Sequence, residues 1–434
     1  FHGINGKAEI QCRKCPKFFT ITSPSFNITR IYFSNLVISN SGIVAELGAK
    51  ANTELEFQNM LVRDNNLALH SKYSNDCSIK IFNSSFEHNT DSHSWGINLR
   101  CANLSVHINS SLFTFTPLLF TNVANKPTRW RRTEILIQHT IFHDKKIQKC
   151  SPMLTIRPFA AISNITIIDS EFKNHLANCS STHTNRISTV LIHYDTFNVR
   201  NITFISLNKI TFENNYNDWA SLTLNAHDCH DYTEVKTVIK NCIFRNNSVA
   251  FRGSSHCSTK YSPFIILENN TFENNFYDMS KIFGAAAIYF GSVRSRVLSC
   301  CFFNNRPGPN PYTGVVTIYK DADVTFSNCY FENLKTMERA DQLFASGNRP
   351  VEFHGENTFN LVALKGSQTV FSRVPIRLDT KVIKKKNFKI ICPQGYKVNA
   401  QRECKNVKKA YMCSYIIVQC EQCPTKTYTL ERGD

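Results

Sequence analysis

"NCIFRNNSVAF", residues 241–251, sets a phenylalanine among asparagines, and close variants recur as "ENNTFENNFYD" at 268–278 and "SNCYFENLKT" at 327–336. Aligning the chain on that phenylalanine gives a column of anchors: Ile38, Val62, Phe86, Phe113, Phe142, Phe172, Phe212, Phe244, Phe272, Phe302, Phe331 and Phe359, at intervals of 24 to 40 residues. Five places before the anchor the residue is apolar, as at Phe33, Ile81, Ile167, Leu267 and Phe326; seven places before, it is mostly apolar again, as at Ile31, Val106, Ile205 and Val324. A spacing of two between apolar columns predicts a β-strand with one buried face. Three before the anchor stands a polar break at Asn35, Asn59, Asn83, Asp169, Asn241, Asn269 and Asn328, after which a second short strand carries the anchor. The last unit fits less well, since Phe353 lies one place off the column that His354 occupies.

Two short strands, a polar corner and an Asn-rich turn, repeated about twelve times, describe a coil. One coil cannot bury its own apolar face, but a stack of coils builds a continuous core. The expected fold is therefore all-β: a right-handed parallel β-helix of about twelve coils, its hand taken from the usual handedness of parallel crossovers. Hairpin folds would need regular two-residue Asn-Gly or Asp-Gly turns, and these do not punctuate the chain. In a β-helix the anchor phenylalanines would stack into an internal ladder. The asparagines would sit in left-handed corners and pair their amides from coil to coil. On this reading the Phe–Asn motif is scaffold, not a catalytic signature.

At 434 residues with 33 Phe, only 15 Gly and 19% charged residues, the composition suits an elongated repeat structure over one ordinary domain. No apolar run approaches the ~20 residues of a membrane span. The chain begins at Phe1 without a charged leader, and reads as a mature or excised segment. Its net charge of +17 gathers at "RWRR" (129–132), "KKIQK" (145–149), "KVIKKK" (381–386) and "KNVKK" (405–409). Arg129, Arg131, Arg132, Lys145, Lys146, Lys384, Lys385 and Lys386 are the candidates for holding a polyanion. Two long intervals, "HLANCSSTHTNRISTVLIHYDTFNVRN" (175–201) and "DWASLTLNAHDCHDYTE" (218–234), are rich in His, the least repeat-like, and expected as partner-binding loops.

Seventeen cysteines and nine Asn-X-Ser/Thr sequons favour the secretory pathway. The glycosylation candidates are Asn27, Asn83, Asn103, Asn109, Asn164, Asn201, Asn246 and Asn269, while Cys179 disfavours the ninth sequon at Asn178. Cys242, Cys300 and Cys329 each lie two before an anchor, inside the core. Cys300 and Cys329, one coil apart, are placed equally well for a disulfide or for buried thiols. The disulfide candidates are Cys179, Cys229 and Cys257 in loops, Cys392, Cys404, Cys413, Cys420 and Cys423 near the end, and Cys12 and Cys15. The pairs "CRKCP" and "CEQCP" have a zinc-ligand spacing, but they lie some 400 residues apart, so disulfides are favoured. The terminal tripeptide "RGD" (432–434) matches an integrin-binding motif.

"FEHN" (86–89), "FENN" (212–215, 272–275), "FRNN" (244–247), "FFNN" (302–305) and "GAAAI" (284–288) resemble the Phe-x-x-Asn and Gly-Gly-Ala-Ile units of polymorphic outer-membrane-protein repeats, with Ala285 in place of the second glycine. The beginning, "GINGKAEIQC" followed by "NITRIYFSNLVISNSG", is similar to the first coil of pectin-lyase-like β-helices. The end, "CEQCPTKTY", resembles the cysteine-rich ephrin-receptor-like modules that follow such β-helices in large surface proteins. The resemblance implies a β-helix over 1–385 and a small disulfide-rich module over 386–434 that continues beyond the segment.

A polysaccharide lyase of this fold would need several carboxylates and a base on one strand face, and a hydrolase an Asp/Glu pair. "DAD" (321–323) is a close acidic pair before a repeat strand, and His354-Gly355 is similar to the His-Gly of some glycosidases. Neither makes a catalytic set, and neither a cofactor nor a metal is expected. The expectation is a non-enzymatic extracellular segment of a cell-surface receptor or adhesion protein. Its partner would be a protein or a sulfated or acidic glycan, not nucleic acid. A structural component of an extracellular filament or matrix, and a carbohydrate-active enzyme, are the alternatives.

Overall fold

The computed structural model describes residues 8–11, 17–21, 28–40, 42–48, 52–71, 74–90, 95–122, 131–144, 151–159, 162–176, 187–195, 202–217, 219–227, 234–257, 262–277, 284–308, 313–333, 342–345, 349, 351–361, 368–377, 388–392, 396–407 and 410–422. Their regular structure is all strand, and they fall into two compact units, Phe1–Lys236 and Thr237–Asp434. Each unit is a stack of parallel coils: the chain is a parallel β-helix.

In the first unit the anchors pair in register, Ile38 with Val62, Val62 with Phe86, Phe86 with Phe113, Phe113 with Phe142, and Phe172 with Phe212. In the second the same column runs from Phe244 through Phe272, Phe302 and Phe331 to Phe359 and on to Ile390. The rings stack nearly face to face: Phe142 and Phe172 have centroids 4.6 Å apart and planes 5° apart, and Phe302 and Phe331 are 4.3 Å and 5° apart. In the preceding strand the column five before the anchor also points inward, as at Ile81, Ile108 and Ile167.

A third strand in each coil escaped the two-strand reading. It follows the anchor, as in Leu67–Ser71, Leu118–Asn122, Ala220–His227 and Gly284–Gly291. Its neighbours are the same strand of the next coil, for example Ser188–Asp195 beside Ala220–His227. The variable intervals flank this strand, so no fixed spacing from the anchor betrays it. Much of the two His-rich stretches expected as partner loops is therefore core: Val190, Ile192, Tyr194, Leu222 and Leu224 are buried. The rest, 177–186, 196–201, 218 and 228–233, lies outside the described residues.

The polar break is a left-handed corner in every described coil. Asn35, Asn59, Asn83, Asp169, Asn241, Asn269 and Asn328 have φ between 46° and 55°. That conformation turns the chain while each corner amide still donates to the next coil, as Asn59 N does to Phe82 O at 3.1 Å and Asn241 N to Glu268 O at 3.0 Å. The geometry imposes φ on whatever residue stands there, and Ser110, His139, Lys209 and Ser299 adopt it too. For residues other than Gly, Asn and Asp this costs on the order of 1–2 kcal/mol. Ser299 is exposed, so Ser299→Asn should stabilise the protein by roughly 0.5–1 kcal/mol and Ser299→Val should destabilise it. Urea unfolding midpoints of the two variants check both signs; an unstable Ser299→Asn would remove the strain argument.

The third residue after the anchor forms a buried asparagine ladder. Asn65 Nδ2 donates to Asn89 Oδ1 at 2.9 Å, and Asn89 Nδ2 to the carbonyl of the preceding anchor Val62 at 2.8 Å. Asn215 Nδ2 does the same to Phe172 O at 3.0 Å. This is why the motif is Phe-x-x-Asn: the ring fills the core and the amide ties the anchor carbonyl of the coil beneath. In one coil the ladder position is His175, whose Nε2 donates to Ser151 O at 3.0 Å while Nδ1 lies 3.3 Å from Thr189 Oγ1. Burial pushes its pKa from 6.5 down to about 4. An unfolded chain binds that proton near pH 6.5 and the folded one only near 4, so His175 contributes stability above pH 6.5 that is lost as pH falls towards 4. Asp144, held by burial up to about 7, works in the opposite sense, losing its contribution as pH rises through 7. The histidine effect is therefore read as the difference between wild type and His175→Asn, which should shrink from pH 7 to pH 4. A difference independent of pH would show that the ring is not buried neutral.

The last unit's offset is resolved at Gly355. Phe326 pairs with Phe353, one place early, and the extra residue is absorbed where Gly355 takes φ +66°. Beyond it, Phe388–Ile391 still adds in parallel to Asn357–Leu361. The pattern then changes: Ala410–Gln422 lies antiparallel to both Gln368–Arg377 and Tyr396–Val407.

Candidate functional site

In the first unit, a shallow groove of about 210 Å³ opens on the outer face of Asn52–Gln58, Ser74–Phe82 and Ile97–Asn109 and the start of Arg132–Gln138. Parallel register makes it. Asn52 pairs with Asp76 and Asp76 with Asn103, while Glu54, Ser78, Ser105 and Glu134 form the next row. Alternation along each strand points these side chains outward, over the inward Leu55, Ile79, Val106 and Ile135. Asn103 Nδ2 donates to Asp76 Oδ1 at 2.7 Å, and Arg132 N donates to Asn103 Oδ1 at 3.0 Å.

Glu54 is the most constrained of the set. Lys80 Nζ lies 2.8 Å and Arg30 Nε 2.9 Å from its carboxylate. The hydrogen bond from Lys80, with the two positive charges, holds its pKa below the usual value against a raising effect of burial. A carboxylate fixed in its ionised form by two cations accepts hydrogen bonds but makes a poor general acid. The groove thus offers acceptors at Glu54, Asp76 and Glu134, hydroxyls at Ser78 and Ser105, and one guanidinium at Arg132, a set suited to a polar, hydroxyl-rich ligand.

In the second unit two outward positions are basic. Arg294 and Arg296 are exposed on the strand Arg294–Leu298, and their guanidinium carbons lie 5.9 and 5.5 Å from the centre of the Phe264 ring on the neighbouring strand. Arg294 also donates to Ser262 O at 3.2 Å. Nearby, Arg349 lies 3.5 Å from Asp323, so this half of the "DAD" pair sits in an ion pair.

Of the basic residues singled out in the sequence, Arg131 and Arg132 are described; Arg129, Lys145, Lys146, Lys384, Lys385 and Lys386 lie outside the described residues. Arg132 stands beside the acidic groove and is not part of a purely basic patch. Among the sequons, Asn83, Asn164 and Asn269 are exposed, Asn103, Asn109 and Asn246 half-buried, and Asn27 and Asn201 outside the described residues.

Cys77 and Cys101 form a disulfide that spans 24 residues and lies under the groove. The sequence reading missed it; the available signal was that the two cysteines lie nine and twelve residues before the successive anchors Phe86 and Phe113, on the same stretch of adjacent coils. Breaking it with Cys77→Ser/Cys101→Ser should cost about 3 kcal/mol from loop-closure entropy, read from urea midpoints against wild type. Cys257 and Cys392 are also disulfide-bonded. Cys404 and Cys413 face each other across the antiparallel ladder, Cys420 lies on the same strand as Cys413, and Cys12, Cys15, Cys179, Cys229 and Cys423 lie outside the described residues. Cys242, Cys300 and Cys329 are buried thiols outside any disulfide, which settles the open alternative for Cys300 and Cys329. Burial pushes the Cys329 thiol up to about 11 and raises Cys300 as well, so both serve as small apolar fillers.

Among the described residues, no group of three or more His, Cys, Asp or Glu is arranged to hold a metal, and no helix is long and apolar enough to cross a membrane. The fold and these faces define a parallel β-helix with polar and basic outer surfaces. No family model, curated protein or solved structure matches the chain.

Proposed function

We propose that this chain is a non-enzymatic, extracellular β-helix segment of a larger surface receptor or adhesion protein, and that it binds an acidic glycan. The observation that carries the reading is the pair of exposed guanidinium groups, Arg294 and Arg296, beside the Phe264 ring on a chain of net charge +17. Guanidinium groups bind sulfate and carboxylate in a bidentate manner, and an aromatic face accepts the apolar face of a sugar. The Cys77–Cys101 disulfide supports an oxidising compartment. The Phe-x-x-Asn units and the cysteine-rich end support the likeness to surface β-helices of the outer-membrane-repeat and pectin-lyase-like kinds.

Heparin chromatography tests it. The protein should be retained at low salt and released as ionic strength rises, and Arg294→Ala/Arg296→Ala should elute at clearly lower salt. No retention, or elution unchanged by the double substitution, would overturn the reading.

A second reading rests on the groove, where Glu54, Asp76, Glu134 and Arg132 share one sheet face, the arrangement a polysaccharide-cleaving β-helix would use. It predicts turnover of polyuronate or glycosaminoglycan that Asp76→Asn abolishes. Without measurable product from pectate, alginate or heparan sulfate, that reading falls.

A further inference from the structure

Large apolar side chains on the outer face of a solvated sheet call for a cover, and the first unit has a cluster of them. Ile162 is 48% exposed, Ile202 45% and Phe204 40%. They lie on two neighbouring strands, Ile162–Ile168 and Ile202–Asn208, with Ile162 beside Ile202. The residue that completes the rectangle is Asn164, which pairs in register with Phe204 and is exposed. Asn164 heads the sequon Asn164-Ile165-Thr166.

We propose that Asn164 carries an N-linked glycan whose first sugars lie across Phe204 and Ile202 and cover this apolar face. The inference rests on the extracellular reading given above. Parallel strands are about 4.8 Å apart, and residues two apart on one face about 6.6 Å, so the innermost two sugars span the whole cluster from Asn164. The C–H face of N-acetylglucosamine is apolar and packs on an aromatic ring, whereas its hydroxyls and acetamide stay in water. On the other side of Asn164 the registered neighbour is Glu134, a charge that offers no such packing, so the glycan turns towards Phe204. Other described sequons differ: Asn103 already donates its amide to Asp76 at 2.7 Å, and Asn83 and Asn269 sit at left-handed corners with φ 46° and 53°.

The modification is a transfer from a lipid-linked oligosaccharide in the secretory pathway. Asn164 Nδ2 bonds to C1 of the first sugar, the C1–O bond to the lipid pyrophosphate breaks, and the amide proton leaves with the pyrophosphate. An apolar patch that a glycan covers needs no protein partner, which accounts for its exposure on the bare polypeptide.

The test uses the full chain secreted from a eukaryotic cell line. Release of N-glycans by a glycosidase in heavy-oxygen water marks each occupied asparagine, and peptide mass spectrometry reads the sites. Asn164 should be occupied in most molecules. Enzymatic removal of glycans from the folded protein should then raise the fluorescence of an apolar-surface dye, and Phe204→Ser should abolish most of that rise. Thr166→Ala, which deletes the sequon and keeps Asn164, should reproduce the rise without enzyme. Glycans at Asn83, Asn269 or Asn201 with Asn164 bare would overturn the inference and leave the secretory reading standing. A chain without glycans anywhere would remove both. Occupied Asn164 with dye fluorescence indifferent to deglycosylation would overturn the packing on Phe204.

Discussion

Replacing Phe302 by alanine should lower the unfolding free energy by about 3–5 kcal/mol. Its ring is 1% exposed and stacked on both sides, 5.0 Å from Phe272 at 6° and 4.3 Å from Phe331 at 5°. Truncation removes the transfer energy of a phenyl group and leaves a cavity between two rings. The backbone holds those rings at coil spacing, so the site collapses little. Two stacked pairs also vanish, each worth roughly 0.5–1.5 kcal/mol beyond its area. Phe302→Leu separates the contributions: it restores most of the volume without the stacking and should cost about 1–2 kcal/mol. Urea midpoints of both variants decide the matter. An alanine variant within about 1 kcal/mol of wild type would mean that the column is not a packed ladder.

That ladder was legible because its signal is periodic and apolar. The anchors from Ile38 to Phe212, and those from Phe244 to Phe359, stand in the register the alignment assigned, and the corner asparagines have the left-handed φ their residue type suggests. Lys209 and His139, which share that conformation, were not legible, because there the fold imposes a geometry the residue does not favour. The third strand was hidden for a different reason. Gly284–Gly291 is buried along its whole length, so it lacks the alternation that marks a half-buried strand. Close approach explains its composition: a Cβ on Gly284 would stand 2.0 Å from the Tyr277 ring. The groove was illegible because Glu54, Asp76 and Glu134 are far apart in sequence and share one face only through register. Ile162 and Ile202, in contrast, left a trace. Each lies ten places before an anchor, on the outward parity, where neighbouring coils put polar residues such as Asn52, Asp76 and Arg132.

The asparagine ladder yields the other large effect. Asn275 is fully buried and sits at the centre of a hydrogen-bond network. Its Nδ2 donates to Phe244 O and to Asn305 Oδ1, each at 2.9 Å, and its backbone N–H donates to Asn305 Oδ1 at 3.0 Å. Its Oδ1 accepts from Asn247 N at 3.0 Å and Asn247 Nδ2 at 2.9 Å. Asn275→Ala deletes the four side-chain bonds, so that Phe244 O, Asn247 N and Asn247 Nδ2 each lose a buried partner. Each orphaned buried group costs roughly 1–3 kcal/mol. Part of this is recovered if water enters the space left by the amide, so the expected loss is about 4 kcal/mol. Asn275→Asp keeps the shape and the acceptor but cannot donate to Phe244 O and buries a carboxyl, so it should lose at least as much at pH 7 and less at low pH, where the carboxyl is protonated and can donate. The neighbouring Asn274 is the control: it is exposed and serves the corner through φ 53°, so Asn274→Ala should cost only about 1 kcal/mol. Equal losses at Asn274 and Asn275 would mean that the corner conformation, and not the buried amide network, is what the repeated asparagines supply.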